Sequence, residues 1–202
     1  RTKGGSDYIQ SLGYSLDTAG KPDLVALLNR DMEGPAVAKR GWQSTLGFTP
    51  NRVYRNGAAA TAQAVQDYDV FYWNASTATV WAYTQKATGL IQSIEPSGSS
   101  PSTVTVAGRS YAIETSAASY ALSDLGQYHR GDTVTLLLGR DGGVAAVVPA
   151  AESAVERVGL VLEVTTSSYP DGVGGSYSAQ TISLLSTDGQ TYQYQTKRSG
   201  LR

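Results

Sequence analysis

Asp132-Thr-Val-Thr-Leu-Leu-Leu-Gly-Arg-Asp-Gly-Gly-Val-Ala-Ala-Val-Val148 holds two apolar runs on either side of a turn. Its β-branched and aliphatic residues suit a pleated, half-buried surface. Asp141-Gly142 supplies residues that accept positive φ, so the stretch reads as a β-hairpin. Asp132 stands just before the first strand, where its carboxylate can accept backbone N–H bonds. A second stretch, Asp69-Val-Phe-Tyr-Trp-Asn-Ala-Ser-Thr-Ala-Thr-Val-Trp-Ala-Tyr83, follows the same plan, with its turn expected near Ala75 to Thr77.

Other stretches of the chain repeat as well. Gly89-Leu-Ile-Gln-Ser-Ile94 resembles Gly159-Leu-Val-Leu-Glu-Val164, each a glycine opening a strand expected to be buried. Gly108-Arg-Ser-Tyr-Ala-Ile-Glu-Thr115 resembles Gly189-Gln-Thr-Tyr-Gln-Tyr-Gln-Thr196, and each follows another strand, Thr103-Val-Thr-Val106 or Thr181-Ile-Ser-Leu184. Val53-Tyr-Arg-Asn-Gly57 takes the place of that strand and glycine turn earlier in the chain. The expected fold class is mainly β, with tandem small β-barrel or β-sandwich-like units after a short helical N-terminal segment. The segments are 1–33 (helical), 34–86, 87–150 and 157–202. The last has the opening strands but no Asp-led hairpin, and an unfinished β unit leaves an open strand edge. Residues 149–154 read as a short linker or hinge.

Helical signals are few. Within Lys21-Pro-Asp-Leu-Val-Ala-Leu-Leu-Asn-Arg-Asp31, Pro22 suits a first turn and Asp23 suits the positive end of the dipole. Leu24, Leu27 and Leu28 recur at helical spacing. The connector 116–126 is either a short helix with Ala118, Leu122 and Leu125 on one side or a packed loop.

Composition narrows the function classes. Sixteen Lys and Arg against 17 Asp and Glu give a net charge of −1, without the basic footprint of a nucleic-acid binder. Cysteine is absent, which excludes disulfides, thiolate metal sites and a Cys nucleophile. A single histidine, His129, excludes multi-His metal centres. No apolar run reaches the length of a membrane-spanning helix, so no membrane insertion is expected. No apolar stretch follows Arg1-Thr-Lys-Gly-Gly, so no signal peptide is visible. Opening on Arg1 without an initiator methionine suggests a piece of a longer polypeptide.

The residues Asp23-Leu-Val-Ala-Leu-Leu-Asn-Arg-Asp-Met-Glu-Gly-Pro35, Val53-Tyr-Arg-Asn-Gly57, Tyr83, Lys86, Gly89 and the stretch from Gly131 to Val147 together carry a resemblance. They are similar to large exported clostridial proteins that carry S-layer homology (SLH) domains. The Leu-Leu-Asn stretch resembles the closing helix of an SLH repeat, and the β units resemble the repeated region beside such domains. The resemblance implies an extracellular place at the bacterial cell surface or cell wall. It implies neighbouring surface-layer subunits, or cell-wall and host glycans, as partners. It brings no catalytic residue, and the wall-binding motifs of SLH domains are not recognisable here.

The expected function is a non-catalytic structural or adhesive module, acting as spacer or interaction unit. One alternative is a carbohydrate- or other ligand-binding module using the hairpin 69–83. Trp42, Tyr72, Trp73, Trp81 and Tyr83 either stack on sugar rings or fill a core or interface. Tyr72 and Trp73 are neighbours on one strand and face opposite ways, so both are core only if both sheet faces are covered. A second alternative is an accessory or catalytic domain of an extracellular hydrolase, with a carboxylate pair drawn from Glu95, Glu114, Asp132 and Glu163. His129, near Ser123 and Asp124, reads as a surface loop residue instead of a triad base. Neither 171–175 nor Asp188-Gly189 has the ligand spacing of a calcium loop, and 172–175 lacks the context of a phosphate loop. No metal or cofactor is expected. Lys197, Arg198 and Arg202 form a small basic end.

Overall fold

The computed structural model describes residues 32–151, 158–170, 175–187, 189 and 191–196. The helix expected over 21–31 lies outside them, and Glu33, placed with the helical segment, instead opens a strand. The chain is mainly β. Thirteen strands are described: β1 (Glu33–Val37), β2 (Arg52–Arg55), β3 (Ala58–Ala60), β4 (Val70–Asn74), β5 (Thr79–Tyr83), β6 (Lys86–Glu95), β7 (Thr103–Val106), β8 (Arg109–Ala112), β9 (Thr133–Leu138), β10 (Val144–Pro149), β11 (Gly159–Pro170), β12 (Ser176–Ser186) and β13 (Thr191–Gln195). One α-helix, α1 (Ser116–Ala121), joins β8 to β9. Among the described residues no helix is long and apolar enough to cross a membrane.

The strands form two sheets. The first runs β1-β4-β5-β2-β3, with β2 parallel to β5 and its other pairs antiparallel. Asn74 pairs with Thr79, so the β4–β5 turn lies at 75–78, close to its expected place. Asn74 Oδ1 accepts the Thr77 N–H at 3.0 Å, which satisfies the tip of this turn. The second sheet runs β10-β9-β6-β13-β12-β11, with β7 and β8 attached through β6. Its pairing passes from β6 to β7 to β8, crosses at the parallel Ile113–Val144 bridge to β10, and returns through β9 to β6. This part of the sheet therefore curls into a half-barrel.

Alternation of side chains across strands explains the cores. Ile91, Val104, Val106, Leu136, Leu138 and Val144 point into the curl, where Ala118 and Leu122 from the α1 region close it. Phe71, Val80 and Ala82 point to the outer face of the first sheet and pack with Trp42. Val70, Tyr72 and Trp81 point the opposite way and meet Leu137 and Ala145. The β9–β10 hairpin is thus covered on both faces, which is why Leu136, Leu137 and Leu138 are all buried.

The Thr115 side chain caps α1 by accepting the Ala118 N–H at 3.0 Å. The connector is therefore helical, but only in part. The helix ends at Leu122, and Ser123 Oγ bonds back to the Tyr120 carbonyl at 2.8 Å. Leu125 consequently leaves the buried side and is 83% exposed, unlike Ala118 and Leu122.

Candidate functional site

The five aromatics of the expected stacking platform separate onto two faces. Trp42 and Trp73 both pack on Phe71, with ring centroids 5.0 Å and 5.7 Å away. Tyr72, Trp81 and Tyr83 lie on the other face, where the Tyr72 and Tyr83 rings meet edge to face at 5.7 Å. Trp42, Tyr72 and Trp81 are buried, while Trp73 and Tyr83 are half-buried. Trp73 Nε1 also donates to Glu33 Oε2 at 2.8 Å. No single flat face collects these rings, because both faces of β4 and β5 are covered by other parts of the chain.

The densest polar arrangement lies where the first sheet meets the β9–β10 turn. The Tyr72 hydroxyl donates to Glu114 Oε1 and accepts the Arg140 N–H at 3.2 Å. The Arg140 guanidinium sits over the Tyr72 ring, 5.5 Å from its centroid, and its Nε reaches Asp141 Oδ2 at 3.2 Å. Beside it opens a shallow cleft lined by Arg109, Ser110, Tyr111, Glu114, Asp141 and Gly143. Arg109 lies over the Tyr111 ring at 5.4 Å.

Burial raises the pKa of Tyr72 well above the usual phenol value, helped by its bond to Glu114. Burial also raises Tyr83 and Tyr111. All three phenols therefore stay protonated at neutral pH; Tyr72 donates to Glu114 and Tyr111 to Gln193 Oε1 at 3.2 Å.

The other carboxylates singled out in the sequence are spread over separate elements. Glu95 ends β6 and Glu163 is exposed on β11. Asp69 is buried: its Oδ2 accepts the Gln66 N–H at 3.0 Å and Arg55 Nε at 2.8 Å. Asp132 Oδ2 accepts the His129 N–H at 2.8 Å. Both hairpin-leading aspartates thus bond the backbone three residues upstream and hold the entry to a strand. His129 is exposed, and the Ser123 hydroxyl is engaged with Tyr120, so no serine–histidine pair forms. Among the described residues no group of three or more His, Asp or Glu side chains gathers to hold a metal ion. Residues 171–174, Asp188, Lys197, Arg198 and Arg202 lie outside the described residues.

Two contacts between distant parts of the chain escaped the sequence reading. One is the Tyr72–Glu114 bond at this junction, whose partners are 42 residues apart. The other is the buried Thr84–Tyr192 hydroxyl pair at 2.9 Å, which ties the connection between β5 and β6 to β13. Adjacent like residues give no hint of either. A glycine-rich turn opposite an aromatic strand, at 139–143, is the one sequence sign that something packs closely there. No family model, no curated protein and no solved structure matches the chain.

Proposed function

We propose that this chain is a non-catalytic structural segment of an exported bacterial protein of the surface-layer type, built from tandem β units and serving as a spacer that presents edges and loops to neighbours. The observation that carries the reading is the use made of the polar and aromatic groups. Tyr72, Glu114 and Arg140 join the first sheet to the β9–β10 turn, and the aromatic residues of β4 and β5 fill the two faces of that sheet. These contacts join the first sheet to the half-barrel, which is the part a spacer requires of them. The cell-surface address rests on the SLH resemblance of the sequence.

The tandem plan draws support from shared pairings. β1 pairs antiparallel with β4 as β6 does with β9, and each second strand leads an Asp-capped hairpin. Asn56-Gly57 and Ala107-Gly108, both at positive φ, make the same two-residue turn between β2 and β3 and between β7 and β8. Residues 86–149 trace the circuit of a small five-stranded Greek-key barrel of the OB type. That likeness is one of architecture and brings no function with it.

The test compares fastening with ligand contact. Tyr72→Phe and Glu114→Gln are expected to lower the thermal midpoint and to separate the unfolding of the first sheet from that of the half-barrel. The unaltered chain is expected to bind no ligand on an array of cell-wall and host glycans. Glycan binding that Trp73→Ala or Tyr72→Phe abolishes at unchanged stability would replace this reading with the ligand-binding one. Antibody labelling of intact producing cells checks the address.

A further inference from the structure

Asn56-Gly57 is the only Asn-Gly pair in the sequence. Asparagine is a thermolabile residue, and a following glycine puts no side chain in the way of its own backbone nitrogen. The reaction this permits is intramolecular. The Gly57 nitrogen attacks Asn56 Cγ, the bond from Cγ to Nδ2 breaks, and ammonia leaves carrying the Gly57 proton. Water then opens the cyclic imide at either carbonyl, giving aspartate or its isoaspartyl isomer.

The fold holds this amide by contacts from distant parts of the chain. Asn56 and Gly57 both have positive φ, 51° and 81°, in the turn between β2 and β3. The Asn56 N–H donates to the Ala82 carbonyl at 2.8 Å. The side chain grips Thr84 twice: Oδ1 accepts the Thr84 N–H at 3.1 Å, and Nδ2 donates to Thr84 Oγ1 at 2.8 Å. Thr84 is completely buried, and its hydroxyl lies 2.9 Å from that of the buried Tyr192. Gly57, by contrast, is exposed to water. The contacts therefore run from an open turn, through a buried threonine, to β13, which pairs with β6 at Gln193–Ala87 and Tyr194–Thr88.

We propose that Asn56 is a modification site gated by the Thr84–Tyr192 contact: the amide is kept while that contact holds and lost when it opens. Ring closure swings Cγ onto the Gly57 nitrogen, and both bonds to Thr84 break before it can do so. Breaking them strands polar groups of a buried residue, which keeps the open form rare. The Tyr192 hydroxyl steadies the Thr84 hydroxyl, so separation of β13 from β6 releases the amide. The product then records the opening. Aspartate has no Nδ2 donor for Thr84 Oγ1. The isoaspartyl form adds a methylene to the main chain inside a two-residue turn, which disturbs the Arg55–Ala58 pair that closes it. Reclosure of the strands does not reverse either change. The inference stands on these residues and does not depend on the surface-layer reading.

The test incubates the full chain at mildly alkaline pH, with and without denaturing guanidinium, and follows the Asn56 peptide by mass spectrometry. The denatured chain gives the rate of the ungated site. The native chain is expected to lose the amide at least about tenfold more slowly. Thr84→Val removes the hydroxyl that joins the two partners, and Tyr192→Phe removes only the far one. Each is expected to speed the native reaction at least about threefold while a cooperative unfolding transition shows that the variant is folded. Tyr192→Phe carries the comparison alone if valine at the buried position 84 prevents folding. Equal rates with and without guanidinium would overturn the proposal, because the fold then does nothing to hold the amide. So would a slow native rate that the folded variants leave unchanged, since that result assigns the protection to the backbone of the turn.

Discussion

A β-carbon placed on Gly139, in the β9–β10 turn, would stand 2.2 Å from the phenol oxygen of Tyr72 on the first sheet. It would also lie 2.1 Å from Glu114 Oε2. The glycine is needed here for close approach, so that the β9–β10 turn can receive the Tyr72–Glu114 pair. Gly139→Ala is expected to displace that pair and cost about 1–3 kcal/mol, the usual range for overpacking. Denaturant unfolding measures the loss, and it should shrink in a Tyr72→Phe background because the clashing hydroxyl is gone.

Leu136 and Leu137 are adjacent on β9 and both fully buried, one inside the curl and the other against the first sheet. A strand with one wet face would tolerate truncation at one of the two. Here Leu136→Ala and Leu137→Ala are each expected to cost about 2–5 kcal/mol. Chemical denaturation of the two variants checks this, and a silent Leu137→Ala would show that the first sheet does not press on the hairpin.

Asp69 is 1% exposed and receives Arg55 through two bonds, Nε at 2.8 Å and Nη2 at 3.3 Å. It also accepts the Gln66 N–H. Asp69→Ala removes both carboxylate oxygens and the three hydrogen bonds they accept, and is expected to cost about 2–3 kcal/mol, in line with hydrogen bonds to a charged group. Asp69→Asn keeps an oxygen for Gln66 and should cost less. Urea midpoints for the two variants give the comparison.

Alkaline pH is expected to destabilise the fold through its phenols. Burial raises the pKa of Tyr72, Tyr83 and Tyr111 in the folded chain, while the unfolded chain releases the same protons near pH 10. Below that point both states keep the protons, and the stabilisation is fully present. Above it the unfolded state binds fewer protons, so stability falls as pH rises. Unfolding midpoints should therefore show no phenolic contribution from about pH 7 to 9 and decline from about pH 10 upward. Tyr72→Phe should blunt the decline.

The hairpins were legible in the sequence because their signals are local. Alternating apolar runs around Asn74 to Ala78 and around Asp141-Gly142 set the turns, and the leading aspartates announced their role at strand entries. Tyr72 and Trp73, neighbours on β4, face opposite ways as strand alternation requires, and both faces of that sheet are covered. What covers them was not legible. The Tyr72–Glu114 bond and the parallel pairing of β13 with β6 at Gln193–Ala87 join residues far apart in the chain, and no local pattern encodes such meetings. Leu125 shows the same limit on a smaller scale: helical spacing placed it beside Leu122, but the Ser123 back-bond ends the helix first.

β6 leans on three neighbours at once: β9 along its first half, β7 along its second, and β13 beside Ala87 and Thr88. Its first residue, Lys86, is also the border between two of the sequence units. All three lie in the second sheet, so a cut just before β6 leaves its pairings on one side. The first sheet then meets the second through side chains such as Tyr72 on Glu114 and Trp81 beside Leu137, and proteolytic cleavage before Lys86 is expected to leave the half-barrel's strand pairing in place.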